Sequence, residues 1–269
     1  MKAYVLASGS EGNSTFFSHN NCNILIDIGK NAKYISEHLK EINVEPKKID
    51  AILISHTHDD HVTALKVFLK KNHPKVYITE KMYYDLEYLK DYDNLVIYDD
   101  DFYIGNIKVT TIKTSHDVSD SRNFLLSWDN ESLVYLTDTG YLNRKYFSLL
   151  ENASFYLIES NHDIEMLLNG PYPKWLKERV LGTSGHLSNK DSSFYLTKLV
   201  GEKTKKIVLM HLSHTNNTEE KALETLEETF KEYEKELTND GKFGRVTLYD
   251  KILTCIVVPI FMIIIILNV

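Results

Sequence analysis

The chain has 269 residues, of which 43% are hydrophobic and 26% charged, which excludes disorder, collagen and coiled coil and allows a sizeable buried core. Lys and Arg number 31 against 38 Asp and Glu, a net charge of -7, so a broadly basic nucleic-acid-binding surface is excluded and any such binding must be local. Cys22 and Cys255 are the only cysteines; there is no disulfide framework, thiolate zinc cluster or Cys-x-x-Cys pair, and a reducing cytoplasm is the expected compartment.

Met1 to Ser10 carries one basic residue, and its apolar stretch is too short for a signal peptide; it reads as a first strand ending in a Gly/Ser turn. Short apolar runs follow at Ile24-Leu25-Ile26, Ala51-Ile52-Leu53-Ile54, Leu95-Val96-Ile97, Phe124-Leu125-Leu126, Leu133-Val134-Tyr135-Leu136, Phe155-Tyr156-Leu157-Ile158 and Ile207-Val208-Leu209-Met210, all candidates for buried strands. Helical spacing groups Ala32, Ile35, Leu39 and Ile42, then Leu65, Phe68 and Leu69, and finally Leu223, Leu226, Phe230, Tyr233 and Leu237. Asn217, three residues before Glu220, is expected to cap the last helix. Early strands joined by turns and later ones by helices predict two sheets packed face to face with helices outside. No linker or repeat interrupts residues 1–250, which are expected to form one domain, followed by an apolar tail at 251–269.

The polar clusters fall where strands end. Ala51-Ile52-Leu53-Ile54 runs into Ser55-His56-Thr57-His58-Asp59-Asp60-His61; Ile107 to Lys113 runs into Ser115-His116-Asp117. Leu133 to Leu136 leads to Thr137-Asp138-Thr139-Gly140, Phe155 to Ile158 to Glu159-Ser160-Asn161-His162-Asp163, and Ile207 to Met210 to His211-Leu212-Ser213-His214. If these strands share a core, their ends converge on one rim, where rigid scaffolds place functional loops. In an extended loop His56 and His58 point the same way and suit one metal ion, while Asp60 and His61 suit a second. Imidazole and carboxylate donors without thiolate match Zn²⁺, with Mn²⁺ or Fe²⁺ also accepted, rather than Mg²⁺ or Ca²⁺. A dinuclear site then needs a further imidazole for each metal and a bridging carboxylate, and His116, His211 and Asp138 fill those places. Two such ions activate a bridging water and clamp the oxygens of a phosphodiester or carbonyl, which is metal-assisted hydrolysis.

Together, the His56-x-His58-x-Asp60-His61 loop and the later His116, Asp138 and His211 resemble the metallo-β-lactamase fold hydrolases. Ser8-Gly9-Ser10-Glu11-Gly12-Asn13-Ser14, Leu25-Ile26-Asp27-Ile28-Gly29, Glu159-Ser160-Asn161-His162-Asp163, Gly185-His186-Leu187-Ser188-Asn189 and His211-Leu212-Ser213-x-x-Asn216-Asn217 narrow the resemblance to the WalJ/YycJ-like branch, over about residues 1 to 250. The resemblance implies an α/β fold, a four-layer αββα sandwich, with two divalent metals and a 5'-to-3' DNA exonuclease activity. It implies that His56, His58 and His116 hold one metal and Asp60, His61 and His211 the other, with Asp138 bridging. Asp138 stands where β-lactam-cleaving members often have Cys, which argues against antibiotic hydrolysis.

Asp60, His162 and His186 are the catalytic candidates; for the two histidines, proton donation to the leaving oxygen, contact with the scissile phosphate and bracing of the loops are all open readings. Asp27 either braces a ligand loop or serves as a turn residue before Gly29. Asn13 and Ser14 either touch substrate or form a plain tight turn, and Asn161 and Asn189 are candidates for support or substrate contact.

A nuclease reading is favoured by the branch-specific strings and by basic clusters at Lys70, Lys71 and Lys75, at Lys174, Lys177 and Arg179, and at Lys203, Lys205 and Lys206. DNA fits better than structured RNA, because the chain has no room for the long inserted domain of ribonuclease J-type enzymes. Competing readings are a small-molecule phosphodiester, lactone or thioester hydrolase, and a non-catalytic metal-bearing regulator linked to a cell-wall two-component system. Residues 252–269 carry no charge and follow Lys242, Arg245 and Lys251, as a marginal membrane anchor would, with the catalytic domain on the cytoplasmic side; a β-rich packed segment or an altered reading frame are the alternatives.

Overall fold

A computed structural model describes residues 1–239; the apolar tail lies outside them. The described residues divide into two compact units, one formed by Met1–Thr111 with Val118–Arg122 and the other by Ile112–Asp117 with residues 123–239.

In the first unit β1 (Lys2–Ala7), β2 (Ser14–His19) and β3 (Cys22–Ile26) form an antiparallel meander. Asn20 and Asn21 make the turn between β2 and β3, both at positive φ (49° and 61°), the geometry whose twist matches a tight hairpin and which asparagine tolerates. From β3 onward the sheet is parallel, through β4 (Ala51–Leu53), β5 (Lys75–Ile78) and β6 (Leu95–Ile97). The crossovers carry α1 (Ala32–Glu41), α2 (Asp59–Val62), α3 (Leu65–Leu69) and α4 (Glu80–Asp85). Asn31 caps α1 by accepting from Tyr34 N, and the helical face expected from the sequence, Ile35 and Leu39, is fully buried in one apolar cluster with Leu25, Ile52, Val76 and Phe68. A short hairpin of β7 (Phe102–Ile104) and β8 (Ile107–Lys113) turns at Gly105, which sits at φ +58°. Parallel pairing places the ends of β3 and β4, hence Asp27 and the loop from Ser55 to His61, at the same edge.

The second unit repeats the plan. β9 (Arg122–Trp128) and β10 (Glu131–Leu136) form an antiparallel hairpin, and β10, β11 (Phe155–Glu159) and β12 (Lys206–Met210) run parallel. Between them lie α5 (Phe147–Leu150), α6 (Ile164–Asn169), α7 (Lys174–Leu181) and α8 (Asn189–Leu199), and α9 (Glu219–Asn239) follows β12. Parallel register again gathers strand ends, so that Asp138, Glu159 and His211 leave the sheet at one edge. The division expected between early turns and late helices therefore runs inside each unit, a meander or hairpin first and helical crossovers after.

One capping expectation is corrected. α9 is capped by Thr218, whose hydroxyl accepts from Lys221 N at 3.1 Å, rather than by Asn217. The Asn217 amide turns inward instead, accepting from Asn189 Nδ2 (2.8 Å) and donating to Ser160 O (2.8 Å). No helix among the described residues is long and apolar enough to cross a membrane.

Candidate functional site

In the first unit the candidate residues are organised around Asp27. It follows β3 at φ +59°, is fully buried, and accepts from Ser55 N (2.7 Å), Ser55 Oγ (2.7 Å) and His61 Nδ1 (2.8 Å). A carboxylate at Nδ1 makes that nitrogen the donor, so His61 presents Nε2 on its other side, 2.9 Å from Asn13 Nδ2 and 3.5 Å from Asp60 Oδ2. Asn13 Nδ2 also lies 3.1 Å from Asp60 Oδ2, while its Oδ1 accepts from Gly9 N, which closes the first loop beneath these donors. Ser14 is buried with its hydroxyl donating to Asp27 O, so it supports the turn from within. Gly29 allows the close approach: a Cβ there would sit 1.9 Å from Asp60 O and 2.4 Å from Asn13 N. His56 is buried, with Nδ1 3.1 Å from Ser55 Oγ and Nε2 3.2 Å from His58 Nδ1, so two imidazole nitrogens from one loop face each other.

In the second unit Asp138, Glu159, His186 and His211 each offer a ligand atom, all within 4.8 Å of one another. Asp138 is the second residue after β10 and His211 the first after β12, both in left-handed backbone (φ +51° and +57°). Glu159 closes β11, fully buried, and its Oε1 accepts from both His186 Nδ1 and His211 Nδ1 at 2.7 Å. Burial alone would raise the Glu159 carboxyl, but the charge and hydrogen bond of His186 and those of His211 outweigh it and hold it down at about 2. Burial likewise pulls His186 down, yet the charge and hydrogen bond of Glu159 and the charge of Asp138 carry it up to about 9. His116 has Nδ1 3.3 Å from Gly185 O and Nε2 3.8 Å from Asp138 Oδ1, and burial lowers its pKa.

The remaining candidates are placed differently. Asn161 Nδ2 donates to His211 O (2.9 Å), and Asn189 Oδ1 accepts from Ser160 Oγ (2.6 Å), so both hold the loops that carry the donors. His162 is buried outside the donor group; neither ring nitrogen has a hydrogen-bond partner, and burial drives its pKa down to about 4. His214 is exposed.

Glu159 is the functional residue that reading the sequence missed. The signal was available: a carboxylate continuing the apolar run Phe155-Tyr156-Leu157-Ile158 without a turn must be buried, and a buried carboxylate needs donors.

Comparison with known proteins places this geometry. Residues 22–212 match the model of the β-lactamase superfamily domain. Exodeoxyribonuclease WalJ of Streptococcus pneumoniae serotype 2 is 38% identical over 232 residues, 84% of this chain and 86% of its own. The chain belongs to the β-lactamase superfamily, in the branch of WalJ. Exodeoxyribonuclease YycJ of Bacillus anthracis, in the same branch, is 32% identical over 233 residues, 85% of this chain and 88% of its own. The crystal structure of YhfI, a metallo-β-lactamase fold protein from Bacillus subtilis, matches with a TM-score of 0.69 over 86% of this chain and 93% of that one at 18% identity. The fold class is thus the αββα sandwich of this superfamily, with two mixed sheets flanked by helices. The superfamily's fold implies divalent metal ions, and His/Asp clusters that suit them are present.

Proposed function

We propose that this protein is a metal-dependent exodeoxyribonuclease that removes nucleotides from the 5' end of DNA. The observation that carries the reading is the donor set, complete at the positions that matter, in a chain 38% identical to a relative named exodeoxyribonuclease WalJ. The resemblance assigns His56, His58 and His116 to one divalent ion, Asp60, His61 and His211 to a second, and Asp138 to both. The donors suit this role chemically: they are imidazole nitrogens and carboxylates, and His61 and His211 are each anchored through Nδ1 to a buried carboxylate, the usual support of a metal-binding imidazole. Such a set favours Zn²⁺ or Mn²⁺.

When bound, the ions supply Lewis-acid activation of water and neutralise charge on the scissile phosphate. The chain does the rest. Asp27 and Glu159 hold the imidazoles in one tautomer, with the proton on Nδ1. The Glu159 and Asp138 carboxylates beside His186 favour its protonated form, and with Nδ1–H given to Glu159 the proton available for transfer sits at Nε2. As water attacks phosphorus and the P–O bond breaks, this proton passes to the leaving oxygen. His162, kept neutral by burial, serves through its backbone instead, which accepts from Asn189 N and bridges Ser188.

The test is direct. Protein stripped with a chelator and reloaded with Zn²⁺ or Mn²⁺ is given single- and double-stranded oligonucleotides labelled at either end. Stepwise release from the 5' end is expected, falling at least about a hundredfold in His58→Ala. Intact DNA alongside turnover of a thioester or lactone would overturn the reading in favour of a small-molecule hydrolase. The membrane tether proposed for residues 252–269 is tested separately, by fractionating cells that express the chain with and without them.

A further inference from the structure

Asp85 is the last residue of α4 and exposed, and it stands where a helix disfavours a carboxylate, since the C-terminal turn is the negative end of the dipole and prefers cations. Its use lies outside the helix. Asp85 Oδ2 accepts from Thr57 Oγ1 at 2.9 Å and also from Ser119 Oγ, hydroxyls that belong to two different loops of the first unit.

Both loops adjoin candidate metal ligands. Thr57 lies between His56 and His58; side chains of an extended segment alternate, so the two imidazoles, with facing nitrogens 3.2 Å apart, share one side of the loop and Thr57 takes the other. Its hydroxyl is therefore a handle on the back of the loop. Ser119 follows His116 by three residues, and its segment is fastened again where Arg122 N donates to Ser55 O at 2.8 Å. α4 gives the carboxylate a firm base: Thr79 caps the helix by accepting from Met82 N, and Met82 and Leu86 are buried in the same apolar cluster as Ile52 and Ile54, which lead into the His56 loop. Among the described residues Asp85 joins no group of ligand atoms, so whatever it contributes to a metal ion passes through the loops.

We propose that Asp85 is a positioning residue for the first metal ion: one carboxylate oxygen staples, from behind, the loop of His56 and His58 to the segment that follows His116, the three residues that the resemblance assigns to that ion. Hydrogen bonds to a carboxylate are stronger than those between neutral groups, and here they limit how far either loop can swing. Loops left free would have to be ordered when the ion binds, and that entropy cost lowers affinity. The inference rests on the metal assignment of the nuclease reading and is independent of the substrate.

The test uses the full-length protein, stripped with a chelator, and its Asp85→Ala, Asp85→Asn, Thr57→Val and Thr57→Ser variants. Each is titrated with Co²⁺, whose visible absorption reports ligand geometry, and with Zn²⁺ in competition with a chromophoric chelator. The native protein is expected to bind two equivalents. In Asp85→Ala the affinity for one equivalent falls about tenfold and its absorption band shifts, while the other binds as in the native protein. Thr57→Val reproduces most of this loss, Thr57→Ser keeps the hydroxyl and restores native binding, and Asp85→Asn, an uncharged acceptor, lies between. The double variant of Asp85→Ala with Thr57→Val loses less than the product of the single effects, as residues in one contact do. The urea midpoint of the metal-free protein stays near native throughout, because the hydrogen bonds are exposed; a merely structural role would lower that midpoint and leave affinity and spectrum unchanged. Native affinity and absorption in both Asp85→Ala and Thr57→Val, or equal losses at both ions, would overturn the staple. A native protein that binds no ion would overturn the donor assignment along with it. Two ions bound with DNA left intact would overturn the nuclease reading alone, and the loss at one ion in Asp85→Ala would still support the staple.

Discussion

A carboxylate buried at the end of a strand persists in its charged form only where donors meet it, and Asp27 and Glu159 each meet imidazole Nδ1–H groups at 2.7–2.8 Å. The consequence is tautomeric: the ring is turned, and its Nε2 lone pair is made more basic and aimed elsewhere. Glu159→Gln and Asp27→Asn keep shape but weaken that polarisation, so each is expected to lower affinity for Zn²⁺ by about 10- to 100-fold, read by competition with a chromophoric chelator. Unchanged affinity in both would refute the anchoring role. The two carboxylates differ in legibility. Asp27 stands before Gly29 in a string that marks a turn, so it attracts notice; Glu159 extends an apolar run by one residue, where a charged residue reads as the first of the loop. Left-handed backbone at Asp27, Asp138 and His211 escapes sequence reading altogether, since it costs about 1–3 kcal/mol that only the surrounding contacts repay.

At the scale of elements, the last helix separates two functions that its sequence runs together. Thr218 supplies the cap, while Asn217 joins three loops through Asn189, Ser160 and its own Oδ1 contact with Thr218 N at 3.0 Å. Thr218→Ala is expected to cost about 1 kcal/mol in urea unfolding, an ordinary cap loss. Asn217→Ala should cost at least about 2 kcal/mol, because it strands buried polar partners; equal effects would restore Asn217 as a mere cap. Strands carrying a continuous apolar run, such as β4, β10, β11 and β12, are legible because both faces are covered. β2, Ser14-Thr15-Phe16-Phe17-Ser18-His19, is not, since its buried Ser, Thr and His read as loop. α6 and α7 are hidden by the Gly170 and Pro173 that separate them and by apolar positions that face solvent, so helical periodicity has no core to report.

For the whole molecule, stability couples to both metal and pH. Bound ions stabilise the folded state by mass action, so the melting temperature should climb with added Zn²⁺ or Mn²⁺ and fall with chelator, and a Tm indifferent to metal would contradict the donor assignment. In chelator-treated protein the buried His162, down at about 4 from the usual 6.5, makes the unfolded chain bind the extra proton first. Stability is therefore fully present above pH 6.5 and declines as pH falls toward 4, by at most about 1.4 kcal/mol per unit for this group, and His162→Gln should flatten the slope seen in denaturant titrations. The net charge of -7 was legible at once but says little about the site, where charge is set by a few histidines and carboxylates.

The bridge between His162 and Ser188 has one more implication. Residues 163–187 are pinned at both feet, Asp163 N on Asn216 O and Asn161 N on Leu187 O, and His186 N is held by Val180 O, so the stretch away from these ties can change in length while His186 keeps its place. Grafting a longer insert at Pro171–Pro173 is then a change of accessory rather than of engine, provided Arg179 and Val180 keep their bonds to Asp117 and His186. Diversification of substrate in such a protein has a natural address, and it lies outside the chemistry.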